Sequence, residues 1–175
     1  MADHTIPEAP IMARDERTSG PAAPDGLHAA VCVDVINLGQ VPTAFGPKYR
    51  VKVVWQLGEV DETSKRRYLV SRVYTNSLNQ KATLRRDLES WRGKAFTAEE
   101  LTGFNLLKLL GANCQLQTIA ALKDGGQTYA NVVGVVPPVR TSPKLVAQDY
   151  VRVVERAQPR GNQPLNGEAV NRVPF

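Results

Sequence analysis

The chain is poor in the side chains from which metal and nucleophile sites are built. Its 175 residues include two histidines and two cysteines. His4 falls near the start and His28 at the edge of the first apolar run, so a histidine-based metal site and a Ser/His/Asp or Cys/His group both lack their parts. Cys32 and Cys114 are far apart in sequence, each within an apolar, strand-like run. That placement suits buried thiols in a reducing compartment better than a disulfide or a metal clip. No CxxC, GxGxxG or GxxxxGK[ST] occurs, so nothing marks a zinc ribbon, a dinucleotide or an ATP phosphate. Nor do carboxylates cluster as a metal-dependent nuclease requires: Asp34 belongs to a strand, Asp61 and Glu62 to a turn, Glu99 and Glu100 to a helix start. The expectation is a non-catalytic protein with neither cofactor nor metal. No apolar run approaches the roughly 20 residues of a membrane span, and the opening MADHTIPEAPIMARDER lacks the basic-then-apolar order of a secretory signal. A cytoplasmic protein without membrane contact is expected.

What the chain does have is positive charge in one place. The formal net charge is +5. Residues 1–25 hold two basic and five acidic side chains, whereas Lys48 to Lys94 hold twelve basic and five acidic, a local net of +7. Such an excess attracts polyanions, although a basic surface kept for solubility looks the same in composition.

Twelve prolines and thirteen glycines gather toward the ends. Residues 1–25 show no period of helix or strand and read as a disordered N-terminal tail. Residues 141–175 read as a largely disordered C-terminal tail, interrupted by one apolar segment at 144–155 whose docking the sequence leaves open. Between them, residues 26–140 form the single domain that this length allows.

Inside that domain the periodicity is informative. His28–Leu38 is β-branched and ends at Gly39, before a loop, GQVPTAFGP, rich in turn residues. Tyr49–Leu57 alternates, with Tyr49, Val51, Val53, Trp55 and Leu57 on one face and Arg50, Lys52, Val54 and Gln56 on the other, the period of a half-buried strand. A charged turn leads to a third strand at Tyr68–Thr75. The period then lengthens: Leu84, Leu88 and Trp91 make one apolar helical face that Gly93 ends. Thr97 and Glu100 have the spacing of a capping box, and Phe104–Leu110 gives a further turn before Gly111. Strands at Asn113–Leu122 and Thr128–Val136 follow, joined by Asp124-Gly125-Gly126, a hairpin signal.

Three strands, a helical insert and two strands is the chain order of an OB-fold, a five-stranded Greek-key barrel. An open α+β sandwich of the same elements is the alternative. OB-folds that hold nucleic acid use the outer face of strands two and three with the first and last loops. The corresponding residues here are Lys48, Arg50 and Lys52 on strand two, and Arg66, Arg67, Arg72 and Tyr74 on or before strand three. Phe45 stands in the first loop. Cations beside aromatics are what neutralising phosphates and stacking bases requires. Trp55 and Trp91 lie on apolar stripes and are expected in the core.

The runs GQVPTAFGPKYRVKVVWQL, RVYTNSLNQKATLRRDLESWRGKAFTAEEL, FNLLKLLGANCQLQTI and TYANVVGVVPP resemble a widespread group of phage and prophage proteins treated as single-stranded DNA-binding or replication-associated OB-fold proteins. The resemblance covers Gly39 to Pro138. Its most specific parts are Tyr74–Leu78, the Leu-Arg-x-x-Leu-x-x-Trp-Arg-Gly helix from Leu84, and the Leu-Leu-Gly before the fourth strand. It implies a protein that coats or guides single-stranded DNA in phage replication or recombination within a bacterial host cell. RNA stays open as the ligand, as do self-association and replication or recombination partners reached through the tails. Bacterial single-stranded DNA-binding proteins often end in an acidic, phenylalanine-terminated peptide. Here the end, Asn171-Arg172-Val173-Pro174-Phe175, keeps the phenylalanine and lacks the acidic run. A protein-interaction adaptor of a replication or recombination complex is the competing expectation.

Overall fold

The computed structural model describes residues 21–156, and the expectations for residues 1–20 and 157–175, the terminal phenylalanine among them, lie outside that range. Five strands make one antiparallel sheet in the order β3-β2-β1-β4-β5. They are β1 (Gly26–Val41), β2 (Lys48–Val60), β3 (Arg67–Thr75), β4 (Asn113–Leu122) and β5 (Thr128–Val136). The sheet is not closed: its two edge strands, β3 and β5, share no ladder.

The long β1 is what bends the sheet. Its first residues pair with β4, from Gly26 opposite Thr118 to Val31 opposite Asn113. From Ala30 to Val41 it pairs with β2, through register shifts at Cys32/Asp34 and Asn37/Gly39. An extra residue on one strand kinks it and increases its twist, so one strand can serve both halves of a curved sheet. Gly39 takes φ 65 at the second shift, a conformation that favours glycine.

The alternation on β2 sorts the strand as its sequence pattern requires. Val51, Val53, Trp55 and Leu57 are all at most 3% exposed and belong to the main core, whereas Tyr49, at the strand's open end, is 62% exposed. The insert closes that core. Helix α1 (Thr83–Arg92) buries Leu84, Leu88 and Trp91 and ends at Gly93 in the left-handed conformation. It packs against β5 and β3. Trp91 lies against Trp55, with ring centroids 5.9 Å apart, and donates its indole N–H to Asn113 O at 2.8 Å. Ser90 Oγ donates to Val135 O at 2.6 Å, so the helix is tied to the β5 backbone. Thr97 and Glu100 form the capping box of α2 (Ala98–Thr102), and a 3-10 turn follows at Leu106–Leu109. Cys32 and Cys114 are free and buried, and burial pushes both thiols well above the usual range.

The segment after β5 does dock. Residues 144–156 form a strap across the outer face of β1 and β2, ending in α3 (Val153–Arg156). Leu145 exchanges two hydrogen bonds with the Asn113 side chain, at 2.7 and 3.0 Å. The Gln148 backbone does the same with the Gln56 side chain, at 2.7 and 2.8 Å. The deepest anchor is Asp34, which is fully buried. Its carboxylate accepts from Tyr150 Oη, Arg152 Nε and the Val153 amide at 3.1, 3.3 and 2.8 Å. Beneath the strap, Val31, Val33 and Val54 form a second apolar cluster with Ile36, Leu69, Leu145 and Tyr150. At the other end, Ala23 is 5% exposed and Pro24 O accepts from the Thr118 hydroxyl at 2.8 Å, so packing begins before residue 26.

Candidate nucleic-acid interface

The outward-facing residues of β2 stand opposite those of β3 in four pairs, Arg50 with Thr75, Lys52 with Val73, Val54 with Ser71 and Gln56 with Leu69. The strap divides this face. Val54, Gln56 and Leu69 lie under it, while Arg50, Lys52, Val73 and Thr75 lie beyond the cluster it covers. Lys48 continues the same row toward the β1–β2 loop and is exposed. Arg50 Nε is buried and has no hydrogen-bond partner. An orphaned donor of a charged group is costly, and an acceptor supplied by a ligand would relieve that cost.

The loop above this row is tightly closed. Thr43 and Gly46 exchange backbone hydrogen bonds at 3.2 and 3.0 Å, and Thr43 Oγ1 accepts from the Phe45 amide at 3.2 Å. Gly46 takes φ 89 to complete the turn. Phe45 is thereby held at the tip, 91% exposed, instead of folding back as a loop anchor.

Two of the expected site residues point elsewhere. Arg72 and Tyr74 share the inward parity of Val70, so their expected place on the outer face is corrected. Tyr74 is 3% exposed, and its hydroxyl donates to Asp87 Oδ2 of α1 at 2.9 Å. Arg72 Nη1 donates to the same oxygen, also at 2.9 Å. The guanidinium also lies 5.3 Å from the Tyr74 ring centroid. Burial first, and the Asp87 carboxylate second, push the Tyr74 phenol well above its usual range. A cation is tolerated on this inner row because the helix brings a carboxylate to it. A buried phenol held in this way cannot stack on a base.

Arg66 and Arg67 stand at the opposite end of β3 from Phe45. Val60 pairs with Arg67 and Lys52 with Val73, a separation of roughly 20 Å at 3.3 Å per residue. Arg67 Nη1 donates to Val146 O at 2.9 Å, so it holds the strap in place. The structure therefore gathers Phe45, Lys48, Arg50 and Lys52 along one line and leaves Arg66 and Arg67 apart.

The line continues into a cleft between the unpaired edges of β3 and β5. The cleft has a volume of about 450 Å³ and is lined by Lys52, the β3 stretch Leu69–Val73, and Lys123, Gln127 and Thr128–Asn131 from the β4–β5 hairpin. Pro21, Ala22 and Ala23 close one side. The hairpin is a defined turn: Lys123 N donates to Gln127 O at 2.8 Å, with Gly125 and Gly126 at φ 101 and 82. Lys123 Nζ lies 5.5 Å from the Tyr129 ring centroid, a cation over an aromatic ring at the mouth of the cleft. Neither Lys123 nor Tyr129 is singled out by the sequence pattern. The signal was nonetheless present, since Lys123 directly precedes Asp124-Gly125-Gly126 and the last loop belongs to the expected surface.

Among the described residues no group of three metal-binding side chains occurs, and no helix is long and apolar enough to cross a membrane. No protein-family model, curated protein or solved structure matches the chain.

Proposed function

We propose that the chain binds single-stranded nucleic acid along the row from Phe45 through Lys48, Arg50 and Lys52 into the cleft at Lys123 and Tyr129. The observation that carries this reading is the cleft itself. Lys52, from the row of β2 cations that begins next to the loop of exposed Phe45, lines it on one side, and Lys123 with Tyr129 lines it on the other. Aromatic faces stack on bases of any sequence, and a cationic row tracks the phosphates, so the arrangement suits a single strand with splayed bases better than a duplex.

In this reading the sheet is an OB-fold barrel in which β3 and β5 are the strands left unbonded, with α1 beside the gap. The order β3-β2-β1-β4-β5 becomes that of the Greek-key barrel when its two ends meet. The resemblance to phage and prophage single-stranded DNA-binding proteins points the same way, to non-catalytic work in replication or recombination, with DNA as the favoured ligand.

Photocrosslinking with a bromodeoxyuridine oligonucleotide, followed by peptide mapping, tests the path. The expected adducts are on the peptides carrying Phe45 and Tyr129. Adducts confined to the strap or to the outer face of β4 would overturn the proposed path, and no adduct at low salt would overturn the function.

A further inference from the structure

The cleft between β3 and β5 has a candidate occupant at its own wall, because Pro21, Ala22 and Ala23 line it. The residues that follow are firmly fixed. Ala23 belongs to the main core. Pro24 O accepts from the Thr118 hydroxyl and lies 2.8 Å from His28 Nε2. The Asp25 carboxylate accepts from the Ala120 amide. Residues 1–20 are therefore tethered at the edge of the cleft and not at a remote point of the surface.

Cleft and segment have complementary charge. The lining of the cleft includes Lys52, Arg72 and Lys123 and no Asp or Glu. Arg72 is already paired with Asp87, which leaves the two lysines to meet an added anion. Residues 1–20 carry Asp3, Glu8, Asp15 and Glu16 against Arg14 and Arg17, four acidic and two basic side chains for a net of −2, in a chain of net +5. Asp15 and Glu16 stand six and five residues before Pro21. Six residues of chain span up to about 22 Å, so both carboxylates are within reach of a cleft whose wall is their anchor.

We infer that residues 1–20 are the cleft's own occupant, with Asp15 and Glu16 against Lys52 and Lys123, and that a nucleic-acid strand must displace them to enter. Tethering selects this occupant. A segment joined to the wall of its site meets it at an effective concentration in the millimolar range, so contacts too weak to hold a free peptide become populated. The same contacts are readily reversed. Exposed ion pairs are individually weak, and Arg14 and Arg17 flank the two carboxylates and offset part of their attraction. A single strand brings one phosphate charge per nucleotide with no cation beside it, so it competes successfully. The segment thus lowers the apparent affinity without abolishing binding: a cleft filled half to nine-tenths of the time binds a strand about two- to tenfold more weakly than an open one. The occupancy stands on the cleft's lining and the tether, while the competition with a strand rests on the nucleic-acid function proposed above.

Carbodiimide crosslinking of the full chain at low micromolar concentration, with peptide mapping of the monomer, tests the occupancy in the absence of nucleic acid, because the reagent joins a carboxylate to a lysine amine only where the two meet. Links from Asp15 or Glu16 to Lys52 or Lys123 are expected, and a single-stranded oligonucleotide should remove them. Asp15→Asn with Glu16→Gln should raise the affinity for that oligonucleotide about two- to tenfold. Glu62→Gln with Glu99→Gln makes the same change of charge at exposed positions that do not line the cleft, and should change the affinity far less. An absence of links to Lys52 and Lys123 would overturn the inference. So would links that persist while the oligonucleotide binds, or two double variants that behave alike. Links that form in a chain that binds no oligonucleotide would instead sink the nucleic-acid function and leave the occupant in place.

Discussion

Replacing Asp34 by alanine removes the acceptor on which the C-terminal strap converges. The carboxylate is 0% exposed and takes hydrogen bonds from the Tyr150 hydroxyl, Arg152 Nε and the Val153 amide, besides one from the Val35 amide beside it. A hydrogen bond to a charged group contributes about 1.5–3 kcal/mol, and removing one partner of a buried ion pair costs about 3–5 kcal/mol. Arg152 is partly exposed and can turn to water once its partner is gone, so the lower part of that range, about 3 kcal/mol, is the expected loss. For a chain of this size that corresponds to a fall in melting temperature of about 10 °C. The strap should also loosen, because Tyr150, Arg152 and Val153 all meet at this one carboxylate, whereas the reciprocal pairs at Gln56 and Asn113 and the bond from Arg67 hold residues 145–148. Limited proteolysis should then cut between residues 144 and 156 at protease concentrations that leave the wild type intact. Asp34→Asn, which keeps an acceptor but loses the charge, should fall between the two. If Asp34→Ala melts within a degree of the wild type and shows the same cleavage pattern, the account of the strap is wrong.

Other expectations follow from the same geometry. Leu57→Ala, at a fully buried position of the main core, should cost about 2–5 kcal/mol in denaturant unfolding with the m-value unchanged. Cys32 and Cys114 should resist a thiol reagent in the native state and react fully in denaturant, because burial both hides the sulfurs and disfavours their thiolates. Glu100 is held below the usual carboxylate range by the Arg92 guanidinium and the Thr97 amide, and Glu89 by the Phe96 amide and the Arg85 guanidinium. Depressed carboxylates stabilise the fold above their unfolded pKa of about 4.3, and that contribution is lost as pH falls through their lower folded values. The melting temperature should therefore drop as pH falls below about 4, and drop less steeply in Glu100→Gln.

Local pattern carried much of this fold. The alternation on Tyr49–Leu57, the apolar face of Leu84, Leu88 and Trp91, the Thr97–Glu100 box and the Asp124-Gly125-Gly126 turn each fix structure within a few residues, and each stands where the sequence puts it. What the pattern could not supply were contacts made across the chain. Both parities of β3 carry apolar residues, so Arg72 and Tyr74 are assigned to the inside only by Asp87, which arrives from the next element. The strap has no period of its own. Its place is set by Asp34 and Gln56, more than ninety residues earlier in the chain. The candidate site divides along the same line. The β2 cations and Phe45 follow from alternation and turn chemistry, while the cleft that adds Lys123 and Tyr129 exists only because two strand edges face each other.

The most direct test of the proposed function is fluorescence anisotropy of an end-labelled single-stranded oligonucleotide titrated with the full chain across a range of salt, with duplex of the same sequence as competitor. A label on the nucleic acid is needed, because Trp55 and Trp91 are buried in the core and would report poorly on the surface. Contacts from Lys48, Arg50, Lys52 and Lys123 predict a slope of log affinity against log salt of about −3. Duplex should compete poorly, and Phe45→Ala should weaken binding by about 1–3 kcal/mol, the contribution of one stacked base. No binding at low salt, or single strand and duplex bound equally well with Phe45→Ala unchanged, would contradict the account.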